Sequence, residues 1–408
     1  MNTVTPMWFD LHAHYPMHVV SDLDADTGRE PSLKRMRRVR KRRGFWGRVQ
    51  GVILWGAMKL ASDRTLDSGP RISVESMRKG DVRLAMSMLM QEFTEIDLTK
   101  RYAAAPTPDY FQGLVGEMEE VEAEVGSHGE DVIRMVRNRR QLDACLNSNA
   151  IGLIHAVEGG YTLGDSDEEI AANCRTLAEK GVGYVTVAHL FFRQVATNAP
   201  ALPFLPDKVY NFVFPQRGKD RLTPRGEAVI KGLVDNRILI DLSHMDPGGI
   251  EEVFALLDNE LDPGKELPVF STHTGFRFGK QQYMCDRGIV EKIAERDGVV
   301  GLIMAQHQLN DGLRKHKDYT ENLAESLEVI CAHIDEIAEI TGGYDHIGLG
   351  SDFDGFIKPT MGGIEQMSDL ATLDAALREK YGDEATDKMT SGNALRVLRK
   401  AWPEPAPA

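Results

Sequence analysis

Short apolar runs recur along the chain, and most are followed by a segment whose apolar residues have helical spacing. The runs are rich in β-branched or bulky apolar residues. Near-continuous apolar runs of this length are typical of parallel strands that are buried on both faces. We therefore predict eight parallel strands, at 7–12, 82–91, 150–158, 183–190, 238–244, 267–273, 298–306 and 346–354.

The segments between the runs carry recognisable helix ends. Ser166 precedes an acidic first turn, and Gly181 follows the last apolar residue of the same segment. Thr223 is a candidate cap, because Pro224 stands at the first helical position after it. Strand and helix alternate about eight times, which predicts an α/β fold of the (β/α)8 TIM-barrel type. An open, doubly wound sheet is the alternative, although no glycine-rich phosphate motif supports a nucleotide site.

The predicted organisation is one barrel domain that extends over 1–400, with insertions after the first and second strands. A basic and apolar insertion is expected at 19–75 and a helical one at 100–145. The Pro/Ala-rich tail at 401–408 is expected to be disordered.

Polar residues stand at the ends of these runs, and they are the main functional signal. The carboxyl ends of barrel strands meet at one mouth, where active sites are built. We therefore predict that five histidines and two acids share one site: His12, His14, Glu158, His189, His244, His273 and Asp352.

These residue types favour metal binding, because imidazole and carboxylate are ligands that zinc prefers. His12 and His14 are two residues apart on a strand, so their side chains point to one face and can bind one ion. His244 and His273 can bind a second ion, and Glu158 has two oxygens with which to bridge the pair.

A pair of metal ions can polarise a carbonyl group and lower the pKa of a water molecule between them. Asp352 is then expected to act as the general acid and base. His189 is expected to bind substrate or to stabilise the developing oxyanion.

The charge and the cysteine content of the chain limit the functions and the locations that are expected for the protein. The chain has 408 residues, and 48 Lys and Arg against 62 Asp and Glu give a net charge of −14, which argues against nucleic-acid binding. The four cysteines are far apart and form no CxxC motif, as expected in a reducing compartment. Neither a signal peptide nor a membrane-spanning run is recognisable, so a cytoplasmic location is expected.

One segment departs from the acidic composition. Nine Lys and Arg and no acid lie between Lys34 and Arg48, and an apolar stretch follows. A solvated helix packed onto the domain is the favoured interpretation. Peripheral contact with an anionic membrane through 34–62 is an alternative, and a role in anionic-substrate binding or in a homo-oligomer is another.

Several segments resemble the membrane (renal) dipeptidase family of the amidohydrolase superfamily. They include LIHAVEGG, ILIDLSHMD, FSTH, GGYDHIGLGSDFDG and SGNALRVLRK, in order between Ile151 and Lys400. The resemblance implies a (β/α)8 barrel with two Zn²⁺ ions that hydrolyses a peptide-type amide, often in a dipeptide. It also implies roles for individual residues: metal ligands at His12, Glu158 (bridging), His244 and His273, a substrate contact at His189 and the catalytic aspartate at Asp352.

Two positions depart from the family pattern. His14 stands where the family usually has an aspartate, which removes one negative charge from the site. The family also carries an arginine for the substrate carboxylate about nine residues after the sixth-strand histidine, and Gln282 stands there. A neutral amide cannot replace a guanidinium. Arg277 or Arg193 would have to take over this contact, so Arg277 and Gln282 are the candidate substrate-binding residues.

The sequence therefore predicts a metal-dependent hydrolase of a peptide-type amide, acting on a dipeptide or a related small molecule. Hydrolysis of a lactone or ester, or deamination, uses the same chemistry and is the alternative. A non-catalytic barrel that binds a metal or a small molecule is a further alternative, and Asp352 argues against it.

Overall fold

The structure is a computed structural model that describes residues 7–19, 70–90, 95, 103–105, 107, 109–203, 205–216, 219, 221–315, 318–355, 357 and 359–403. The basic block predicted at 34–62 lies outside these residues, as does most of the predicted insertion at 19–75. No helix within the described ranges is long and apolar enough to cross a membrane.

A parallel sheet of nine strands forms the centre of the molecule. The order β2-β1-β9-β8-β7-β6-β5-β4 is closed by seven residue pairs between β2 and β4, from Leu84↔Gly152 to Met90↔Glu158. Eight strands therefore make a closed barrel, and the predicted fold is confirmed. The strands are β1 (Trp8–Ala13), β2 (Val82–Met90), β3 (Ile133–Met135), β4 (Ile151–Glu158), β5 (Tyr184–Thr186), β6 (Leu239–Asp241), β7 (Val269–Thr274), β8 (Val299–Leu302) and β9 (Ile347–Leu349).

Strand β3, which lies outside the closed ring of eight strands, was not predicted. It lies within the segment 100–145, which we expected to be helical, and it pairs with the first residues of β4 from Ile133↔Ile151 to Met135↔Leu153. Three residues are too few to show a strand period in the sequence. A helix on either side of β3 accounts for the helical pattern that we recognised.

Helices follow most barrel strands and cover the outside of the barrel. Ser166 and Thr223 cap their helices through side-chain bonds to Glu169 N and Gly226 N, as the sequence predicts. The last helix ends at the buried Ala401, the first residue of the tail predicted at 401–408, of which 404–408 lie outside the described residues. The helices are α1 (Pro16–Val19), α2 (Val74–Lys79), α3 (Asp109–His128), α4 (Arg139–Leu146), α5 (Asp167–Glu179), α6 (Asp207–Val213), α7 (Pro224–Asp235), α8 (Pro247–Leu256), α9 (Arg287–Glu295), α10 (Gln306–Leu309), α11 (Leu323–Thr341), α12 (Leu370–Asp387) and α13 (Asn393–Ala401).

Two glycines allow β7, β8 and β9 to approach closely. A Cβ atom at Gly301 would lie 1.9 Å from the carbonyl oxygen of Thr272, and one at Gly350 would lie 1.8 Å from the same oxygen. Backbone atoms cannot yield at such distances, so both positions require glycine. The close approach fixes the segment that carries His273 against the strand that leads to Asp352.

We expect Gly301→Ala to destabilise the barrel, because the added methyl group must displace the Thr272 carbonyl. Overpacking of this kind costs about 1–3 kcal/mol. The measurement is the free energy of unfolding in urea. Gly116→Ala is the matched control, since a Cβ at Gly116 on α3 would meet no atom within 4 Å and alanine favours a helix. Equal stability of the two variants would contradict the close-packing argument.

Candidate metal centre

The strand ends bring the seven predicted residues together at one mouth of the barrel. Each is buried, with at most 8 % of its surface exposed. Strands hold three of them directly, and loops of three residues beyond β5, β6 and β9 position three others. The residues are His12 in β1, His14 just after it, Glu158 at the end of β4, His189 after β5, His244 after β6, His273 in β7 and Asp352 after β9.

The carboxylate of Glu158 lies in the middle of the site. Its Oε1 atom is 3.3 Å from Nε2 of His244 and 3.4 Å from Nε2 of His12. Its Oε2 atom is 3.4 Å from Nε2 of His189. The two oxygens thus face different histidines.

Asp352 lies on the β1 side of the site. Its Oδ1 atom is 3.0 Å from Nε2 of His14, which in turn is 3.3 Å from Nε2 of His12. Asp352 has a φ of +57°, a conformation that costs energy for a residue other than glycine and that is concentrated at functional sites. Gly355 leaves room for this carboxylate, because a Cβ there would lie 1.9 Å from Oδ1.

His244 and His273 form the opposite side. Their Nε2 atoms are 2.9 Å apart, and His244 also has a positive φ, of +67°. The ring of Tyr283 packs edge-on against His244, with a centroid distance of 5.0 Å, and its hydroxyl donates to the carbonyl oxygen of His273. Tyr283 therefore packs against the His244 ring and holds the His273 backbone.

Hydroxyl groups behind the histidines set their tautomers. The Tyr184 hydroxyl donates to the carbonyl oxygen of Leu11, so Nδ1–H of His12, 2.9 Å away, must donate to Tyr184. In the same way the Thr272 hydroxyl donates to Asp241, and Nδ1–H of His273 donates to Thr272 over 2.8 Å. In both rings the Nε2 lone pair therefore points into the site, as a metal ligand requires.

Glu95 is a site residue that our sequence analysis missed. Its Oε2 atom lies 2.5 Å from Nδ1 of His189, and its Oε1 atom accepts the backbone N–H of Phe191. Glu95 follows the end of β2 by five residues, and β2 was one of two strands to which we assigned no polar residue. The lack of an assigned polar residue at the end of β2 was the sequence signal that could have revealed Glu95.

The charges in the site follow from burial and from these neighbours. Burial lowers the pKa of His189, but the carboxylates of Glu158 and Glu95 outweigh burial and raise that pKa to about 9. Burial also opposes the charge of Glu158, yet His189 and His12 hold its pKa well below the ordinary value. The pKa of His273 is well below its ordinary value because of burial and the nearby His12. His273 is therefore neutral, the form that binds metal.

The residues present fit a divalent metal. Imidazole nitrogens and carboxylate oxygens are directed at a common centre, and buried polar groups of this kind require a partner. Three overlapping sets have all their ligand atoms within 4.8 Å of one another: His12, Glu158 and His273; His12, His14 and Asp352; and Glu158, His189 and His244.

The two candidate arginines for substrate binding have partners within the protein. The guanidinium of Arg277 lies 3.1 Å from Asp286 Oδ2 and donates to the carbonyl oxygens of Gln281 and Gln282. Arg193 is buried, and its Nη2 donates to the Tyr110 hydroxyl over 2.8 Å. Neither arrangement tests a role in substrate binding. The side chain of Gln282 borders a cavity at the mouth.

Comparison with known proteins identifies relatives among dipeptidases. An uncharacterized dipeptidase of Schizosaccharomyces pombe is 27% identical over 257 residues, which are 62% of this chain and 53% of that protein. Dipeptidase aclJ of Aspergillus oryzae is 26% identical over 254 residues, which are 61% of this chain and 51% of that protein. The match thus spans about half the length of these curated relatives.

Solved structures show the same fold. A metallo peptidase from Rhodobacter sphaeroides, crystallised with a phosphinate mimic of the dipeptide L-Ala-D-Ala, has a TM-score of 0.67 at 18% identity, over 98% of this chain and all of that one. The probable dipeptidase PvdM from Pseudomonas aeruginosa has a TM-score of 0.64 at 14% identity, over 91% and 98% of the two chains.

The family profile is decisive, because it extends over almost the whole chain rather than over the best-matching segments alone. The profile of the membrane dipeptidase family, peptidase family M19, matches residues 7–404. The family predicted from the sequence is therefore confirmed, and a metallopeptidase family implies a metal cofactor. The chain belongs to the membrane dipeptidase family, peptidase family M19.

Proposed function

We propose that the protein is a metal-dependent dipeptidase, which cleaves a peptide-type amide bond in a small substrate. The observation that carries this proposal is the set of imidazole Nε2 atoms directed at the Glu158 carboxylate, with Asp352 beside them. Membership of the M19 family supports it. So do the names of the relatives, which are dipeptidases.

The cofactor that we propose is a pair of zinc ions. His12 and His14 would hold one, His244 and His273 the other, with Glu158 between them. The Nε2 atom of each of these four histidines lies within 3.8 Å of a Glu158 oxygen, which supports Glu158 as a carboxylate shared by the two ions. Zinc bound there would act as a Lewis acid and activate a water molecule for attack on the amide carbonyl.

Asp352 is proposed as the general acid and base. Its Oδ1 atom lies next to His14, at the edge of the ligand cluster. From there Oδ1 can accept a proton from the attacking water and return it to the leaving nitrogen. The positive φ of Asp352 and the space left by Gly355 hold the carboxylate in that position.

His189 is proposed to bind the substrate carbonyl. Its Nδ1–H is committed to Glu95, so Nε2 is the atom that faces the site. Against the effect of burial, the carboxylates of Glu158 and Glu95 raise the pKa of the ring and so favour its protonated form. Nε2–H can then donate to the oxygen on which negative charge develops.

Metal binding is tested by thermal unfolding. Zinc at 100 times its dissociation constant should stabilise the protein by about 2.7 kcal/mol, because it binds only the folded site. Elemental analysis should give about two zinc ions per chain, and fewer in His244→Ala. His128→Ala is the control, since His128 lies on the surface of α3 beside Glu124. An unchanged melting temperature of the wild type with zinc would refute the metal proposal.

Asp352→Asn tests the chemical step. We expect this variant to retain its zinc and to lose about 10²–10⁴-fold in kcat on the best dipeptide, because an amide cannot relay the proton. The exposed Asp131→Asn provides a control with the same chemical change. Full turnover by Asp352→Asn would remove the role that we assign.

Glu95→Gln tests the orientation of His189. The neutral amide no longer favours the charged imidazole, so kcat should fall about 10–100-fold, the usual effect of losing such a partner. Zinc content should remain that of the wild type. A parallel loss of zinc would show instead that Glu95 supports the metal ligands.

A further inference from the structure

The carboxylate of Asp241 is buried behind the ligand cluster, at the end of β6. Its two oxygens accept five hydrogen bonds, which come from Thr186, Ser243 and Thr272. Hydrogen bonds to an ionised acceptor are strong, and so many of them hold the carboxylate in one orientation. Asp241 is therefore a fixed point between β5, β6 and β7.

The two oxygens of Asp241 face donors of different kinds. Oδ1 accepts the backbone N–H groups of Ser243 and Thr272 over 3.1 and 2.9 Å, and the Ser243 hydroxyl over 2.8 Å. Oδ2 accepts the hydroxyls of Thr186 and Thr272 over 2.7 and 2.9 Å. A backbone N–H can only donate, whereas a hydroxyl can donate or accept. The bonds at Oδ2 can therefore change direction, and the backbone bonds at Oδ1 cannot.

A chain of hydrogen bonds leads from Oδ2 of Asp241 to the ligand cluster. The Thr272 hydroxyl gives its proton to Oδ2, so its oxygen accepts Nδ1–H of His273 over 2.8 Å. With the ring proton on Nδ1, the lone pair of Nε2 faces the site. An ionised carboxylate can only accept, so Asp241 sets the direction of both bonds.

We propose that Asp241 is a positioning residue that sets the tautomer of His273, and with it the affinity for the ion that His244 and His273 would hold. Asp241 acts through the Thr272 hydroxyl and not by contact with the ion. The effect on metal binding rests on the proposed zinc centre, whereas the tautomer is a property of the chain without zinc.

Asp241→Asn should reverse the chain of bonds while the backbone keeps its anchor. The N–H groups of Ser243 and Thr272 require an acceptor, so the amide oxygen must take the position of Oδ1 and the amide nitrogen that of Oδ2. The nitrogen then donates to the Thr272 hydroxyl, which in turn donates to Nδ1 of His273. The ring proton moves to Nε2, where it opposes metal binding.

The tautomer is measured by two-bond ¹H–¹⁵N correlation spectra of the full-length, zinc-free chain with labelled histidine. The His273 signals are assigned by their loss in His273→Gln. We expect the Nδ1–H form in the wild type and the Nε2–H form in Asp241→Asn. A purely structural role of Asp241 would not invert the tautomer. The Nδ1–H form in a folded Asp241→Asn variant would overturn the inference.

Asp10→Asn is the matched control, because Asp10 is a fully buried aspartate on another barrel strand. Its Oδ1 atom likewise accepts two backbone N–H groups, those of His12 and Ser351, over 3.0 and 2.9 Å. Its Oδ2 atom has no hydrogen-bond partner among the residues that the structure describes. The same chemical change should therefore leave the tautomer of His273 unaltered. Inversion in both variants would overturn the specific role of Asp241.

Competition with a chelator measures the effect on zinc. Asp241→Asn should bind one of the two ions about 10–100-fold more weakly, the usual cost of losing the partner of a ligand histidine. Thr272→Val removes the hydroxyl and should weaken the same ion, whereas Thr272→Ser retains the hydroxyl and should bind zinc as the wild type does. Equal zinc affinities of Thr272→Val and Thr272→Ser would overturn the inference, even if Asp241→Asn failed to fold.

The two measurements separate this inference from the proposed function. If the wild type binds no zinc, the proposed cofactor fails, and the tautomer of His273 still tests the role of Asp241. If Asp241→Asn inverts the tautomer but binds both ions as tightly as the wild type, the link between the tautomer and the ion is refuted.

Discussion

The arrangement of the site depends on one buried carboxylate, that of Glu158. A charge in the protein interior is tolerated only when its partners are fixed around it. Here the partners come from β1, β7 and the loops after β5 and β6, and each contributes an imidazole Nε2 atom within 3.3–3.8 Å of a Glu158 oxygen. The closed parallel barrel brings residues so distant in sequence to one end.

A second set of bonds keeps the imidazoles in the required orientation. Tyr184 and Thr272 accept the Nδ1 protons of His12 and His273, and Glu95 accepts that of His189. These three residues leave the Nε2 atoms to face inward. The backbone also contributes, because His244 and Asp352 both have positive φ angles that the surrounding loops maintain. The site is thus preorganised by its surroundings.

The barrel and the main site residues were predictable because each depends on a local signal. Continuous apolar runs mark buried parallel strands, and a polar residue at the end of such a run stands out, as Glu158 and His273 do. Glu95 was missed because it lies beyond the end of its run. Tyr184 was missed because an aromatic residue inside a run is usually a core residue, and its hydroxyl partner is distant in sequence.

Thr272 joins the closure of the barrel to the chemistry of the site. Its carbonyl oxygen fits against Gly301 in β8 and against Gly350, which follows β9, while its hydroxyl orients His273. The same residue therefore takes part in strand packing and in ligand geometry. Loss of the orientation of His273 and disruption of the packing of Thr272 against Gly301 and Gly350 should consequently occur as one cooperative event.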